Sequence, residues 1–411
     1  MKTDRPATHA SQWPDIRNNE YYVGGKPLTR HAAVVGRTPF YAYDRGLIRQ
    51  RIDTLRQQLP KGIKLHYAIK ANPMPALVDF VTPLVDGLDV ASKGEMRIAL
   101  DAGMEESEIS FAGPGKNQEE IVSAVAAGIV VTAESFLQVE QIAKAARSLN
   151  LKARLALRLN PSFELKASGM KMTGGAKPFG IDSECFADLI EYVRAQGLEP
   201  EGLHLFTGSQ NLNPQALCEA LQGVTDLCCQ LVPAHNLDLR FINMGGGFGI
   251  PYFPGEPVLD LAPVMATLGE IQSTVHKLTP QTAIALEFGR YIVGEAGIYV
   301  SRVIDKKCSR GTTYLVTDGG LHHHLANSGN FGQVIRKNYP VQLGNRVEGN
   351  KTEVVTVVGP LCTPLDILAE RVELPEAQIG DLVVVRQSGA YGLSASPTAF
   401  LSHPLAAEIL V

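Results

Sequence analysis

From about residue 40 to 290, short runs of apolar and β-branched residues alternate with stretches whose apolar positions recur at helical spacing. Leu65–Lys70, Leu88–Ser92, Ile109–Ala112, Ile129–Thr132, Ala153–Leu159, Gly202–Thr207, Leu239–Asn243 and Ala283–Glu287 read as strands. Glu95–Ala102, Gln118–Ala127, Leu137–Ser148, Cys185–Gln196 and Ala216–Leu231 read as amphipathic helices between them. Eight strands alternating with helices over roughly 250 residues is the proportion of a (β/α)8 barrel. A doubly wound open sheet fits the same count, because counting strands does not prove closure. After Gly289 the texture changes. Ile298–Ile304, Thr313–Thr317, Lys351–Val358 and Asp381–Arg386 are rich in Val, Ile and Thr, with no long helical period between them. That pattern predicts a C-terminal antiparallel β domain. The expected layout is a segment 1–38 that joins the β domain, a barrel over 39–290, and the β domain over 291–411.

The alternation also points side chains. Leu65, Tyr67 and Ile69 form one row, while His66, Ala68 and Lys70 face the other way. In a barrel this aims Lys70 inward at the carboxyl end, where such folds keep their chemistry. Burial disfavours the ammonium, and a neutral amine suits imine formation with a carbonyl. A strand-end lysine that reaches solvent is the equal alternative. Ala283, Ala285 and Glu287 share an inward row in the same way. The Glu287 carboxylate then needs either an ion pair, with Arg290 or Arg158, or a proton-bearing ring nitrogen. Gly245–Gly249 after the seventh strand and Gly208-Ser209-Gln210 after the sixth offer backbone N–H groups and a hydroxyl to a phosphate. An aldehyde for Lys70, a phosphate for the glycine loops and a pyridine nitrogen for Glu287 together describe pyridoxal 5′-phosphate.

Composition narrows the field further. The 411 residues favour two domains, and 45% hydrophobic with 19% charged residues is ordinary globular content. A net charge of −4 without a basic cluster argues against a nucleic-acid partner. No run approaches the ~20 apolar residues of a membrane span. The first stretch is polar and broken by Pro6, Pro14 and Pro27, without an apolar signal core. Cys185, Cys218, Cys228, Cys229, Cys308 and Cys362 show no Cys-x-x-Cys spacing, so a cytoplasmic protein without a zinc site is expected. The loop Lys166–Pro178, with Gly169, Gly174 and Gly175, is a candidate cover for a site.

Six motifs in order resemble those of the fold-type III pyridoxal-phosphate decarboxylases, the group of the diaminopimelate and ornithine decarboxylases. They are Tyr67–Asn72, Asp89–Glu95, Gly208–Gln210 with Gly245–Gly249, Glu287–Arg290, Gly359–Cys362 and Gly389–Gly392, and they span nearly the whole chain. The resemblance implies that Lys70 forms the Schiff base. It places Asp89, Arg158, Phe206, Ser209, Gly246, Gly247, Glu287, Gly289, Arg290 and Tyr391 around the cofactor. Arg290, Thr363, His323 and Tyr391 would meet the substrate. Cys362 would protonate the substrate carbon and would reach the site from a partner subunit, which implies a homodimer with shared active sites. Read alone, a free cysteine such as Cys362 is a buried small hydrophobe, and the flanking motif favours the catalytic role. A glutamate at position 287 favours loss of carbon dioxide, because the related alanine racemases place an arginine at the ring nitrogen.

Several positions depart from the pattern. Phe206 stands where these decarboxylases stack a histidine on the ring, with His204 two residues earlier on the same face. Phe288 replaces a proline. Thr363 follows Cys362 where the relatives carry an acid for the substrate's distal amine, and Asp366 lies close by at a different offset. Leu321–Gly332 contains His322-His323-His324, read as substrate contacts or a polar loop rather than a metal site. This segment looks like that of decarboxylases in exosortase A polysaccharide systems and of those acting on glutamate tethered to an acyl carrier protein. The substrate is therefore expected to be an amino acid or a carrier-linked aminoacyl group. A non-catalytic pyridoxal-phosphate carrier, a regulatory homologue and a racemase are the competing readings.

Overall fold

The computed structural model describes residues 15–162, 170–171, 175–333 and 336–411. They form two compact units, one of Arg49–Ile250 with Leu259–Ile292, the other of the remaining chain.

The first unit is a barrel. Its strands are β1 (Ile63–Ala68), β2 (Gly87–Val90), β3 (Ile109–Phe111), β4 (Val130–Ala133), β5 (Arg154–Asn160), β6 (Pro200–His204), β7 (Phe241–Asn243) and β8 (Ala283–Phe288). Every neighbouring pair is parallel. The pairing of β8 with β1, Leu286 opposite Leu65 and Glu287 opposite His66, closes the ring and rules out an open doubly wound sheet. Most strand residues are buried, as a parallel sheet with one face on helices and one on its own interior requires. The helices start where their sequences cap them. Ser92 accepts from the Glu95 N–H ahead of Lys93–Asp101, and Asn117 makes a reciprocal capping box with Glu120 ahead of Gln118–Ala126. Ser135 accepts from the Gln138 N–H ahead of Phe136–Leu149. Two of these caps, Ser92 and Ser135, follow their strands by two residues, so each strand end is pinned where functional groups emerge. Among the described residues no helix is long and apolar enough to cross a membrane.

The second unit is built on the long strand β9 (Gly297–Ser309), followed by β10 (Thr312–Thr317), β11 (Val341–Leu343), β12 (Thr352–Val358), β13 (Ile367–Pro375), β14 (Leu382–Val385) and β15 (Ala407–Leu410). The expected antiparallel arrangement holds for most pairs, but β10 pairs with β12 in parallel, and β15 pairs in parallel with Phe40–Tyr43. That early strand also lies antiparallel against β9. The barrel unit therefore begins at Arg49 rather than 39, because Phe40–Tyr43 finds its hydrogen bonds in the β unit. The N-terminal segment packs there too, with Tyr21, Val23 and Leu28 in one core with Ile298, Val300, Leu382 and Val384. Pro251–Val258 also belongs to this unit, where Tyr252 stacks at 5.0 Å on Tyr339.

His322, His323 and His324 are buried in the β unit, which corrects their reading as a polar loop. His324 Nε2 lies 2.8 Å from the Ser388 hydroxyl, which itself donates to the Val385 carbonyl, so the ring nitrogen is the donor. Its Nδ1 accepts from the Asn327 N–H at 3.3 Å. Burial pulls the His324 pKa down to about 3, and a second ring proton would face the Asn327 N–H. Between pH 6.5 and about 3 the unfolded chain binds a proton that the native His324 refuses. Stability is accordingly complete above pH 6.5 and falls as the medium is acidified through that window. Urea unfolding at stepped pH should show this slope, and His324→Gln should lessen it, the remainder coming from His322 and His323, which burial also shifts down.

Candidate active site

β1 ends at Ala68 and the chain turns through one 3-10 turn, Ile69–Ala71, which carries Lys70 out of the strand. The lysine is exposed, not desolvated as the inward alternation suggested. The alternation holds below it, where His66 and Ala68 lie inside the barrel. Lys70 lines a cavity of about 220 Å³ at the carboxyl end of the strands, together with Asp89, Arg158, His204, Phe206 and Glu287. Its Nζ stands 5.1 Å from the centre of the Phe206 ring, within reach of a cation–π contact.

Glu287 is buried at the end of β8. Its Oε1 accepts from Asn243 Nδ2 at 3.0 Å and lies 3.0 Å from His204 Nε2. Burial alone would raise this carboxyl. The charges of His204, Lys70 and Arg158 outweigh it and hold Glu287 well below the usual carboxylate range. The alternative reading, an ion pair of Glu287 with Arg290 or Arg158, does not hold. Arg290 donates to the Ser209 hydroxyl at 3.2 Å, and Arg158 donates to Glu134 at 2.9 Å.

Glu134, just past β4, was not foreseen. Its buried carboxylate also accepts from the N–H of Gly113 and of Gly180, at 2.5 and 3.0 Å. One side chain thus ties three loops that surround Arg158. Beside it Lys116 is buried and donates to the Gly113 carbonyl, and burial lowers its pKa to about 8. Burial works against the Glu134 anion, but Arg158 and Lys116 hold its carboxyl below the usual range. Asp89 accepts a hydrogen bond from the Ser110 hydroxyl and lies 3.4 Å from His66 Nδ1. Its other oxygen is buried without a protein partner, as is His204 Nδ1.

The two glycine loops meet. Gly247, at φ +105°, leaves no room for a side chain, since a Cβ would stand 2.6 Å from the Gly208 carbonyl. A Cβ at Gly246 would stand 2.0 Å from the Glu287 carbonyl oxygen. Asn243 Oδ1 accepts from the Gly245 N–H at 2.8 Å, holding the start of the loop. Gly289 sits against Ala71, beside Lys70.

The remaining expected residues belong to the β unit. Cys362 is exposed, which removes its reading as a buried hydrophobe, and Thr363 and Tyr391 are half-buried. Asp366 is buried and cannot stand in for the acid missing at Thr363. Its carboxylate accepts from the N–H of Leu321 and Leu361, at 2.6 and 2.8 Å. His323 is buried, with Nε2 on the Pro404 carbonyl at 2.9 Å and Nδ1 3.4 Å from the Tyr299 hydroxyl. Both ring nitrogens face protein groups, so the expected substrate contact of His323 gives way to a packing role. Of the loop Lys166–Pro178, residues 166–169 and 172–174 lie outside the described residues.

Residues 45–294 match the model of the pyridoxal-dependent decarboxylase family, pyridoxal binding domain. The chain belongs to the pyridoxal-dependent decarboxylases. It is similar to an L-glutamyl-[BtrI acyl-carrier protein] decarboxylase of Niallia circulans, 38% identical over 91% of this chain and 88% of that one. A diaminopimelate decarboxylase of Aquifex aeolicus is 33% identical over 97% of this chain and 92% of its own. The crystal structure of diaminopimelate decarboxylase from Helicobacter pylori complexed with L-lysine superposes with a TM-score of 0.82 at 28% identity, covering 93% of this chain and 94% of that one. Pyridoxal 5′-phosphate is the cofactor of this family. The residues present suit it: a primary amine, a buried anionic carboxylate and two close-packed glycine loops, with orphaned polar atoms of Asp89 and His204 at the cavity.

The close approach at Gly246 is testable. Gly246→Ala should cost about 3 kcal/mol and weaken pyridoxal-phosphate binding, because the backbone of β8 must move. Gly115→Ala, with open space around its Cβ, should leave both unchanged. Thermal unfolding and cofactor titration measure the two effects.

Proposed function

We propose that this enzyme removes the free α-carboxylate of an amino acid tethered through its side-chain carboxyl to an acyl carrier protein, in preference to decarboxylating free diaminopimelate. The observation that carries decarboxylation is Glu287, a buried anion in the same cavity as Lys70. Support for a tethered substrate comes from Thr363 and Asp366. The first is neutral, and the second is committed to backbone N–H groups, so this loop offers no carboxylate to a free distal amine. The 38% identical glutamyl-carrier decarboxylase points the same way.

In the reaction the substrate loses its carboxylate as carbon dioxide and gains one proton at the same carbon. Pyridoxal 5′-phosphate, when bound, supplies a ring that takes up the electron pair left behind. Lys70 would hold the cofactor through its amine. Ser209, Arg290, Gly246, Gly247 and Tyr391 would take its phosphate, and Asp89, Arg158, Phe206 and Gly289 would surround its ring. Glu287 keeps a proton at the ring nitrogen, and each pK unit of that preference is worth about 1.4 kcal/mol. The Cys362 thiol delivers the proton to the substrate carbon, and Arg290, Thr363 and Tyr391 meet the substrate. We place Cys362 in the partner's site of a homodimer, and the protein in the cytoplasm, in keeping with its six unpaired cysteines.

Carbon dioxide release should be measured from aminoacyl-loaded carrier protein and from free meso-diaminopimelate. The loaded carrier is expected to turn over, and turnover of the free amino acid at an equal or higher rate rejects the tethered reading. Cys362→Ala should retain the cofactor while kcat falls by about 10²-fold or more.

A further inference from the structure

We infer that His204 is a positioning residue for the reaction: it acts through Glu287, engaging one carboxylate oxygen and leaving the other for the cofactor's ring nitrogen. The inference rests on the decarboxylase reading above. Three consecutive barrel strands build the arrangement. His204 ends β6, its Cα paired with Asn243 of β7, and Asn243 is paired in turn with Ala285 of β8. The Asn243 amide has one possible orientation, because its Oδ1 accepts from the Gly245 N–H. Its Nδ2 therefore faces Glu287. His204 Nε2 approaches the same oxygen at 3.0 Å, without the alignment of a hydrogen bond, so the contact is mainly electrostatic. Both protein partners take Oε1, and Oε2 is the oxygen that remains.

The need for such a device follows from burial. A carboxylate sharing a proton with a ring nitrogen leaves it on the nitrogen only while the carboxylate is the weaker base. Desolvation of Glu287 works in the opposite direction and would draw the proton onto oxygen. Lys70 and Arg158 help, but Arg158 is paired with Glu134, and Lys70 is exposed at the rim. His204 is 4% exposed, and with Asn243 it is the polar side chain that stands against the carboxylate, at 3.0 Å. Phe206 presents an apolar ring where relatives stack an imidazole, so His204 is the one imidazole on the cavity wall among the described residues.

The test uses holoenzyme reconstituted with pyridoxal phosphate labelled with 15N in the ring, reading the nitrogen shift and the cofactor Kd. Wild type is expected to show a protonated nitrogen. His204→Leu should move the signal most of the way to the value of Glu287→Gln and raise Kd about tenfold, the equivalent of one pK unit. His204→Gln, which keeps a polar side chain at the same place, should fall between, and it carries the test where the leucine variant does not fold. A wild-type shift and Kd in folded His204→Gln or His204→Leu overturns the inference. A wild-type shift in Glu287→Gln overturns the role of Glu287 itself, so the two failures are told apart.

Discussion

The closing pairing of β8 on β1 is the constraint from which the site follows. Parallel registry places Glu287 opposite His66, so the inward row of β8 continues the inward row of β1. A slip of one residue would turn Glu287 toward the helices and bring Phe288 into the cavity. The register is held by what lies outside the ring, where Leu65, Tyr67, Leu286 and Phe288 are almost fully buried. Apolar packing on the outer face thus decides where a charged group lies on the inner one.

Inside the ring, charge is managed in pairs contributed by different strands. Glu287 works with His204 and Asn243, Glu134 with Arg158, and Asp89 with Ser110 and His66. Each acid is buried, and burial by itself would favour its neutral form. The partners restore the anion for Glu287 and Glu134, at the mouth where a cationic ring and an amine are to be handled.

Much of this was legible in the residues. Short apolar and β-branched runs marked all eight barrel strands, and the ordered motifs marked Lys70, the glycine loops and Glu287. What escaped depends on contacts remote in the chain. Lys70 was expected within a strand, but the alternation of Ile69 and Lys70 continues into a turn that local pattern does not distinguish. The ion-pair alternative for Glu287 falls away because Arg158 is claimed by Glu134, a residue with no periodic signature, and its protein partners His204 and Asn243 lie on other strands. Phe40–Tyr43 was assigned to the barrel because proximity in sequence hides its pairing with β9 and β15. His323 looked like a polar contact because three histidines in a row read as surface, whereas aromatic neighbours bury them.

The loop bearing Cys362 shows a division of labour between backbone and side chains. Asp366 anchors it from within, and a methyl group on Gly320 or Gly359 would collide with that carboxylate. The main chain is therefore fixed by residues that never reach the loop's surface, while Cys362, Pro364 and Leu365 are exposed. Such a loop can exchange Pro364 and Leu365 around a retained thiol, generation after generation, without unfolding. An ancestral scaffold could in this way be retuned from one substrate to another by point replacements alone.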